Sequence, residues 1–374
     1  MSVFKPTIGL TAWLAVCVVS IQLSQRPAAA QAAAEPAWQT IRTRDPVSQL
    51  DRTSIEQWAT AEIGAILAEK APQAALERGK AFFKSAYGNA SAVNATPAFR
   101  STLAEVIAQQ FDRQYDIAAD PADMGAAIGR IYLLVTMKEL KEPGCKDALV
   151  KALPDPSPGA RAIAAQGLLL IRPAPPELQV WLRPVLPVIQ RVGVDETNNA
   201  VLARLYRLLE TNNGAVAADT LPVAQNILQA RFARMATGKS DPLPADAEAT
   251  AWLAERFSFE QQQGKTDIVK SIGTLLAHAV HMQVNRTLDE RTKEQNLTLI
   301  TAAETQLKDT TQPPAPAPNV LGLLKRGEKP APDAVAAELA KWIGGNGASG
   351  ILNAAPFELP PGLGIQRAVA EPEK

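Results

Sequence analysis

Apolar residues recur along this chain at three- and four-residue intervals for most of its length, the spacing of helices that bury one face. Ile55, Trp58, Ile63, Ile66 and Leu67 share one such face. Ala75, Leu76, Ala81, Phe82 and Phe83 form a second, and Phe99, Leu103, Val106, Ile107 and Phe111 a third. The spacing continues through Ile128, Ile131, Tyr132, Val135 and Met137 and through the apolar run 160–171. It predicts further helices over 195–210, 221–235, 268–282 and 288–307, with one more carrying Trp252, Leu253 and Phe257. No run of alternating β-branched residues suggests a sheet, and alanine and leucine, strong helix formers, dominate. The chain reads as all-α.

Polar residues and prolines set the expected boundaries. Residues 35–52 read as an irregular lead-in. Thr53 with Glu56, and Thr287 with Glu290, have capping-box spacing and predict helix starts. Pro72 and Pro97 suit first turns, where the missing N–H costs nothing. Pro143-Gly144 ends one helix, and Pro184 and Pro187 predict a kink or two short pieces. Gln312 to Pro318 reads as an extended linker, residues 312–319, after a helical body spanning 33–311. A short amphipathic helix follows over 333–343, stopped by Gly344 and Gly345. The tail beyond it, within a C-terminal segment 320–374, carries Ile351, Leu352, Phe357, Leu359, Leu363 and Ile365. That is more apolar than a disordered tail, so it is expected to pack back on the body or to dock on another protein.

A near-repeat runs through the middle. Asp120-Pro121 precedes Ala127, Ile128, Leu133 and Leu134. Asp155-Pro156 precedes Ala162, Ile163, Leu168 and Leu169 at the same offsets, 35 residues later. A fainter copy opens at Asp195 and places Ala200, Leu208 and Leu209 40 residues after their counterparts. The clearest unit, residues 149–171, resembles a HEAT-type helical repeat, in which a helix ends, an Asp-Pro turn follows, and the next helix opens with an arginine and small residues. Asp155, Pro156, Arg161, Ala164, Ala165 and Leu168 carry the resemblance. Asp155 can cap backbone N–H groups at the turn, and the alanines let helices approach closely. The resemblance implies a superhelical array of helix pairs, with Arg161 bonding to turn residues of a neighbour. An irregular helical bundle is the alternative.

The N-terminus changes where this fold is expected to work. Lys5, the apolar run 8–23 and Ala30-Gln31-Ala32 have the order of a cleaved export signal, residues 1–32. The protein is therefore expected in a periplasm or outside the cell. An uncleaved anchor is one alternative, and lipidation of Cys17, in a sequence like a lipoprotein box, is another. No later stretch is apolar enough to span a bilayer. The 38 basic and 38 acidic residues balance, and loss of Lys5 and Arg26 leaves a slight acidic excess. That gives no electrostatic reason to bind nucleic acid or an anionic membrane. Cys145 would be the one cysteine left, so no intramolecular disulfide is expected and the fold must rest on burial.

Candidate chemistry is sparse. His278 and His281, three apart on a helix, are weak candidates for a metal site, with Asp267 or Asp289 as additional oxygen ligands. There is no His-Glu-x-x-His, no Gly-x-Ser-x-Gly elbow, no phosphate-cradling loop and no Cys-x-x-Cys-His. Asp289-Glu290, Asp195-Glu196 and Asp112 with Asp116 are the carboxylate pairs available for glycoside-type hydrolysis, and a solvated, charged helix face explains all of them better. Trp58, Phe111, Tyr132, Trp252 and Phe257 fall at positions expected to be core. No catalytic residue or cofactor is assigned. The reading is an exported, non-catalytic scaffold for a protein or peptide partner, with a carboxylate hydrolase of envelope material as the alternative.

Overall fold

The computed structural model of the protein describes residues 35–116, 123–211, 214–326, 331–345 and 349–364. The expected export signal, Cys17, Asp120-Pro121 and Ile365 lie outside the described residues. Helices α1 (Trp38–Ile41), α2 (Gln49–Ala68), α3 (Pro72–Ala90), α4 (Pro97–Gln114) and α5 (Met124–Leu140) come first. Then follow α6 (Lys146–Ala152), α7 (Pro158–Leu170), α8 (Glu177–Leu182), α9 (Leu186–Asp195), α10 (Asn199–Leu209) and α11 (Gly214–Ala236). The last are α12 (Pro244–Arg256), α13 (Gln262–Asn285), α14 (Glu290–Thr311), α15 (Val320–Leu324) and α16 (Pro332–Ile343). No β-strand occurs among the described residues, and the all-α expectation holds.

The helices alternate between two rows. In one row α3 packs on α5, α5 on α7, α7 on α10, α10 on α12 and α12 on α14. In the other α2 meets α4 and α4 meets α6; farther along, α9 meets α11, α11 meets α13 and α13 meets α16. The stripes of α2 and α4 line the core. By contrast α5 buries Leu133, Leu134, Met137 and Leu140, leaving Ile128, Ile131, Tyr132 and Val135 only half-buried, and Ala81 of α3 is exposed. One continuous core runs from Trp38 to Leu363. Close approach is built in where α5 crosses the end of α2. A Cβ on Gly129 would sit 2.8 Å from the Ile66 carbonyl oxygen, so any larger residue would push the helices apart. An aromatic cluster closes the N-terminal end: the Trp38 ring meets Trp58 edge-on at 5.0 Å, and Trp58 stacks on Phe82 at 4.9 Å.

Several boundaries differ from the sequence reading. The helix expected after Thr53 begins at Gln49, inside the supposed lead-in. Ser48 caps it by accepting the Asp51 N–H at 3.2 Å, and Thr53 lies within the helix, donating to the Gln49 carbonyl. Thr287 is likewise not a cap. Asp289 takes that role, accepting the Thr292 N–H at 2.7 Å. Asp195 does not open a helix but ends α9, and α10 starts after Asn198, whose side chain accepts from Ala200 and Val201. The helix expected from Leu221 starts at Gly214 and runs through Pro222. Pro184 and Pro187 do divide their segment, into α8 and α9.

The Pro-rich segment 312–319 is mostly exposed and joins α14 to α15, whose buried residues belong to the same core, and the tail packs back. Glu304, almost fully buried on α14, accepts the backbone N–H groups of Val320 at 2.8 Å and Leu321 at 3.0 Å. It also accepts the Trp342 indole N–H at 3.2 Å. Beyond α16, Leu352, Phe357, Leu359 and Leu363 are buried, and the Gln262 amide holds the Pro356 carbonyl. We expect Glu304→Ala to loosen this strap, because each buried donor left unpaired costs about 1–3 kcal/mol. Limited proteolysis should then cut within residues 320–364 faster than in the wild type. Unchanged cleavage would show that apolar packing alone holds the strap.

Candidate functional site

Most buried charge in the protein serves the helix turns. Asp155, wholly buried before α7, receives the Arg130 guanidinium from α5 at 2.9 Å and the Tyr115 hydroxyl from the end of α4 at 2.6 Å. Its second oxygen accepts the Ser157 N–H at 2.7 Å. Glu196, before α10, has the same role in the next turn of the row. It accepts the Asn198 N–H at 2.8 Å and holds Arg161 of α7 through two bonds of 2.7 and 2.9 Å. Arg161 also donates to the carbonyls of Asp155 and Pro156, so it joins its own turn to the next. Asp246, in the first turn of α12, accepts Arg231 of α11 through bonds of 2.7 and 3.0 Å and the Tyr206 hydroxyl of α10 at 3.3 Å. Arg231 reaches back to the Glu196 carbonyl as well. Ala164, Ala165 and Leu168 are wholly buried beside this ladder, while Pro156 stiffens the turn.

Electrostatics follow from that burial. Tyr115 and Tyr206 are held protonated well above the ordinary tyrosine range, by burial first and then by the adjoining carboxylate. Burial alone would lower the Arg231 pKa, but the bonds and charge of Asp246 raise it. These groups are locked to one another and present nothing to a substrate. We expect Asp155→Ala to cost about 3–5 kcal/mol in urea denaturation, because Arg130 would stay buried without its counter-charge. A loss below 1 kcal/mol, the range of exposed pairs, would contradict this role.

The residues singled out for chemistry are dispersed. Asp195 pairs with Arg234, while Glu196 belongs to the ladder. Asp112 pairs with Lys151, and Asp116 follows the buried Tyr115 in sequence. Asp289 caps α14 and Glu290 faces Lys293 at 3.8 Å. Cys145 is buried beside the Ala104 carbonyl, and burial pushes its thiol up to about 12, followed by the charge of Glu142. Trp58, Phe111 and Trp252 are buried, and Tyr132 and Phe257 are partly so. Among the described residues, no group of three or more His, Cys, Asp or Glu is placed to hold a metal.

The two histidines face different surroundings. His278 is buried with its ring stacked on Phe232 at 6.2 Å, whereas His281 is exposed beside Asn285. Burial lowers the His278 pKa to about 4, with a smaller effect from His281. Below about pH 6.5 the unfolded chain binds a proton there that the native one refuses. Stability should therefore fall between pH 6.5 and 4, by about 3 kcal/mol from this group at most. Thermal melts of His278→Leu should show a shallower acid slope than the wild type, and equal slopes would contradict it.

A different feature faces solvent. Gly214, Ala217, Ala218, Leu221 and Pro222 form one stripe along α11, and Glu255, Arg256, Phe259 and Glu260 stand opposite at the end of α12. They enclose a groove of about 820 Å³, a size typical of ligand clefts. Phe259, on the 3₁₀ turn after α12, is 76% exposed. Arg256 lies over that ring at 5.5 Å, and its Nε is buried without a hydrogen-bond partner among the described residues. Glu260 approaches it only to 3.7 Å. Pro222 has no N–H, so the carbonyl of exposed Ala218, four residues earlier, loses its helical donor. The sequence carried one sign of this groove, the stripe of small residues continuing N-terminal to Leu221. Phe259 had no sign, because its exposure depends on how the turn leaves α12.

Comparisons of the chain with protein-family models, with curated proteins and with solved structures find no match. Among the described residues no helix is long and apolar enough to cross a membrane.

Proposed function

We propose that this protein is an exported, non-catalytic scaffold of the cell envelope, built from HEAT-like helical repeats, that binds a protein or peptide partner. The groove between α11 and the end of α12 supports the reading most directly. It combines a floor of small and apolar side chains, an exposed phenylalanine, and a backbone carbonyl at Ala218 that Pro222 leaves without its helical donor. Interaction surfaces use such features, with aromatic and arginine residues as anchors inside a polar rim. Stacked helical pairs also present long surfaces without needing a reactive centre. The order of charge, apolar run and small residues at the N-terminus supports export. The acids considered for hydrolysis give their alternative no comparable support, since they lie in caps, ion pairs and the turn ladder.

A photo-reactive benzoylphenylalanine placed at Phe259 tests this in the protein's own host. We expect a discrete cross-linked adduct that is lost when Ala218→Trp fills the groove. Ala218 is exposed, so the tryptophan can be accommodated without disturbing the core. No adduct, or one indifferent to the tryptophan, would contradict docking at this groove.

A further inference from the structure

The groove's chemistry narrows what it accepts. Its rim carries two carboxylates, Glu255 and Glu260, against one guanidinium, Arg256. Glu260 already faces Arg256, whereas exposed Glu255 makes no ion pair among the described residues. An incoming carboxylate would meet this excess of like charge, and an incoming cation would relieve it. The groove also offers one main-chain acceptor, the carbonyl of exposed Ala218 that Pro222 frees. A peptide backbone supplies the complementary N–H without adding charge. Gly214, Ala217 and Ala218 leave room for that backbone to lie against α11, with Leu221 and Phe259 at hand for an apolar side chain.

We propose that the groove binds an apolar peptide segment of a partner protein carrying a basic side chain, with a backbone N–H bonded to the Ala218 carbonyl and its cation facing Glu255. This rests on the docking reading above and specifies the partner's chemistry.

Calorimetric titration of the full chain with two blocked peptides tests it. The probes are acetyl-Leu-Val-Lys-Leu-Ala-Leu-amide and the same peptide with Glu in place of Lys. The lysine peptide should bind the wild type more tightly, and Glu255→Lys should reverse the order, by about two- to fivefold as expected for an exposed charge pair. Ala218→Trp should weaken the lysine peptide by about tenfold or more, as for loss of a contact at the centre of an interface. Equal or tighter binding of the glutamate peptide to the wild type would overturn the proposed chemistry. So would an order that Glu255→Lys leaves unchanged. In either case, sensitivity to Ala218→Trp would keep the groove itself as the docking site. Absence of binding by the lysine peptide would also overturn the proposal, and the photo-adduct at position 259 would then decide whether the docking reading survives it.

Discussion

Three carboxylates withdrawn from solvent, Asp155, Glu196 and Asp246, set the terms on which the middle of this protein packs. A buried carboxylate is tolerable only with a counter-charge and with its lone pairs occupied. Each of the three stands where a helix of the first row begins, and each takes a donor from the preceding helix of that row: Arg130, Arg161 and Tyr206. Asp155 and Asp246 take a second donor from the other row, Tyr115 and Arg231. Arg161 and Arg231 extend to carbonyls of neighbouring turns, which links the rungs into one run. Apolar burial favours close packing but does not by itself fix orientation. The ladder sets how each helix follows the one before it.

Some of this arrangement was legible in the chain. Asp155 and Pro156 lie together, and their types and order already describe a capped, stiffened turn before α7. The rest was hidden by distance and by changing period. The acids heading successive first-row helices are Asp123, Asp155, Glu196 and Asp246, at intervals of 32, 41 and 50 residues. The third copy read from the sequence, 40 residues after Asp155, therefore opened at Asp195, one residue short of Glu196, because α8 and α9 lengthen that unit; the 23-residue α11 lengthens the next. Arg130 and Tyr115 carry no local sign of their role, since their common partner is 25 and 40 residues away. The misplaced caps have a simpler cause. Ser48 and Thr53, like Asp289 and Thr287, are both capping types; Ser and Asp are the stronger of each pair, and they are the ones that sit at the boundary.

The same division separates the ladder from the groove. Around Asp155 and Asp246 the charged groups face one another, and the protein spends them on shape. At the groove the exposed Ala218 carbonyl lacks its helical donor and lies beside small residues and an exposed phenylalanine. A proline in the middle of α11 would weaken the helix if its only effect were local. Opening onto a groove, it leaves an acceptor where a bound backbone can use one. The C-terminal strap belongs with the ladder in this respect, since Glu304 is filled by donors from α15 and α16.

The claim that turn carboxylates clamp successive helices is tested most directly by a double-mutant cycle on Arg161 and Glu196, which meet through two bonds. Urea denaturation of the wild type, Arg161→Ala, Glu196→Ala and the double variant yields their coupling energy. A clamp predicts that the double variant loses far less than the two single losses combined, with a coupling of about 2–3 kcal/mol. Additive losses, with a coupling below about 0.5 kcal/mol, would mean that the helices hold their places by apolar packing alone.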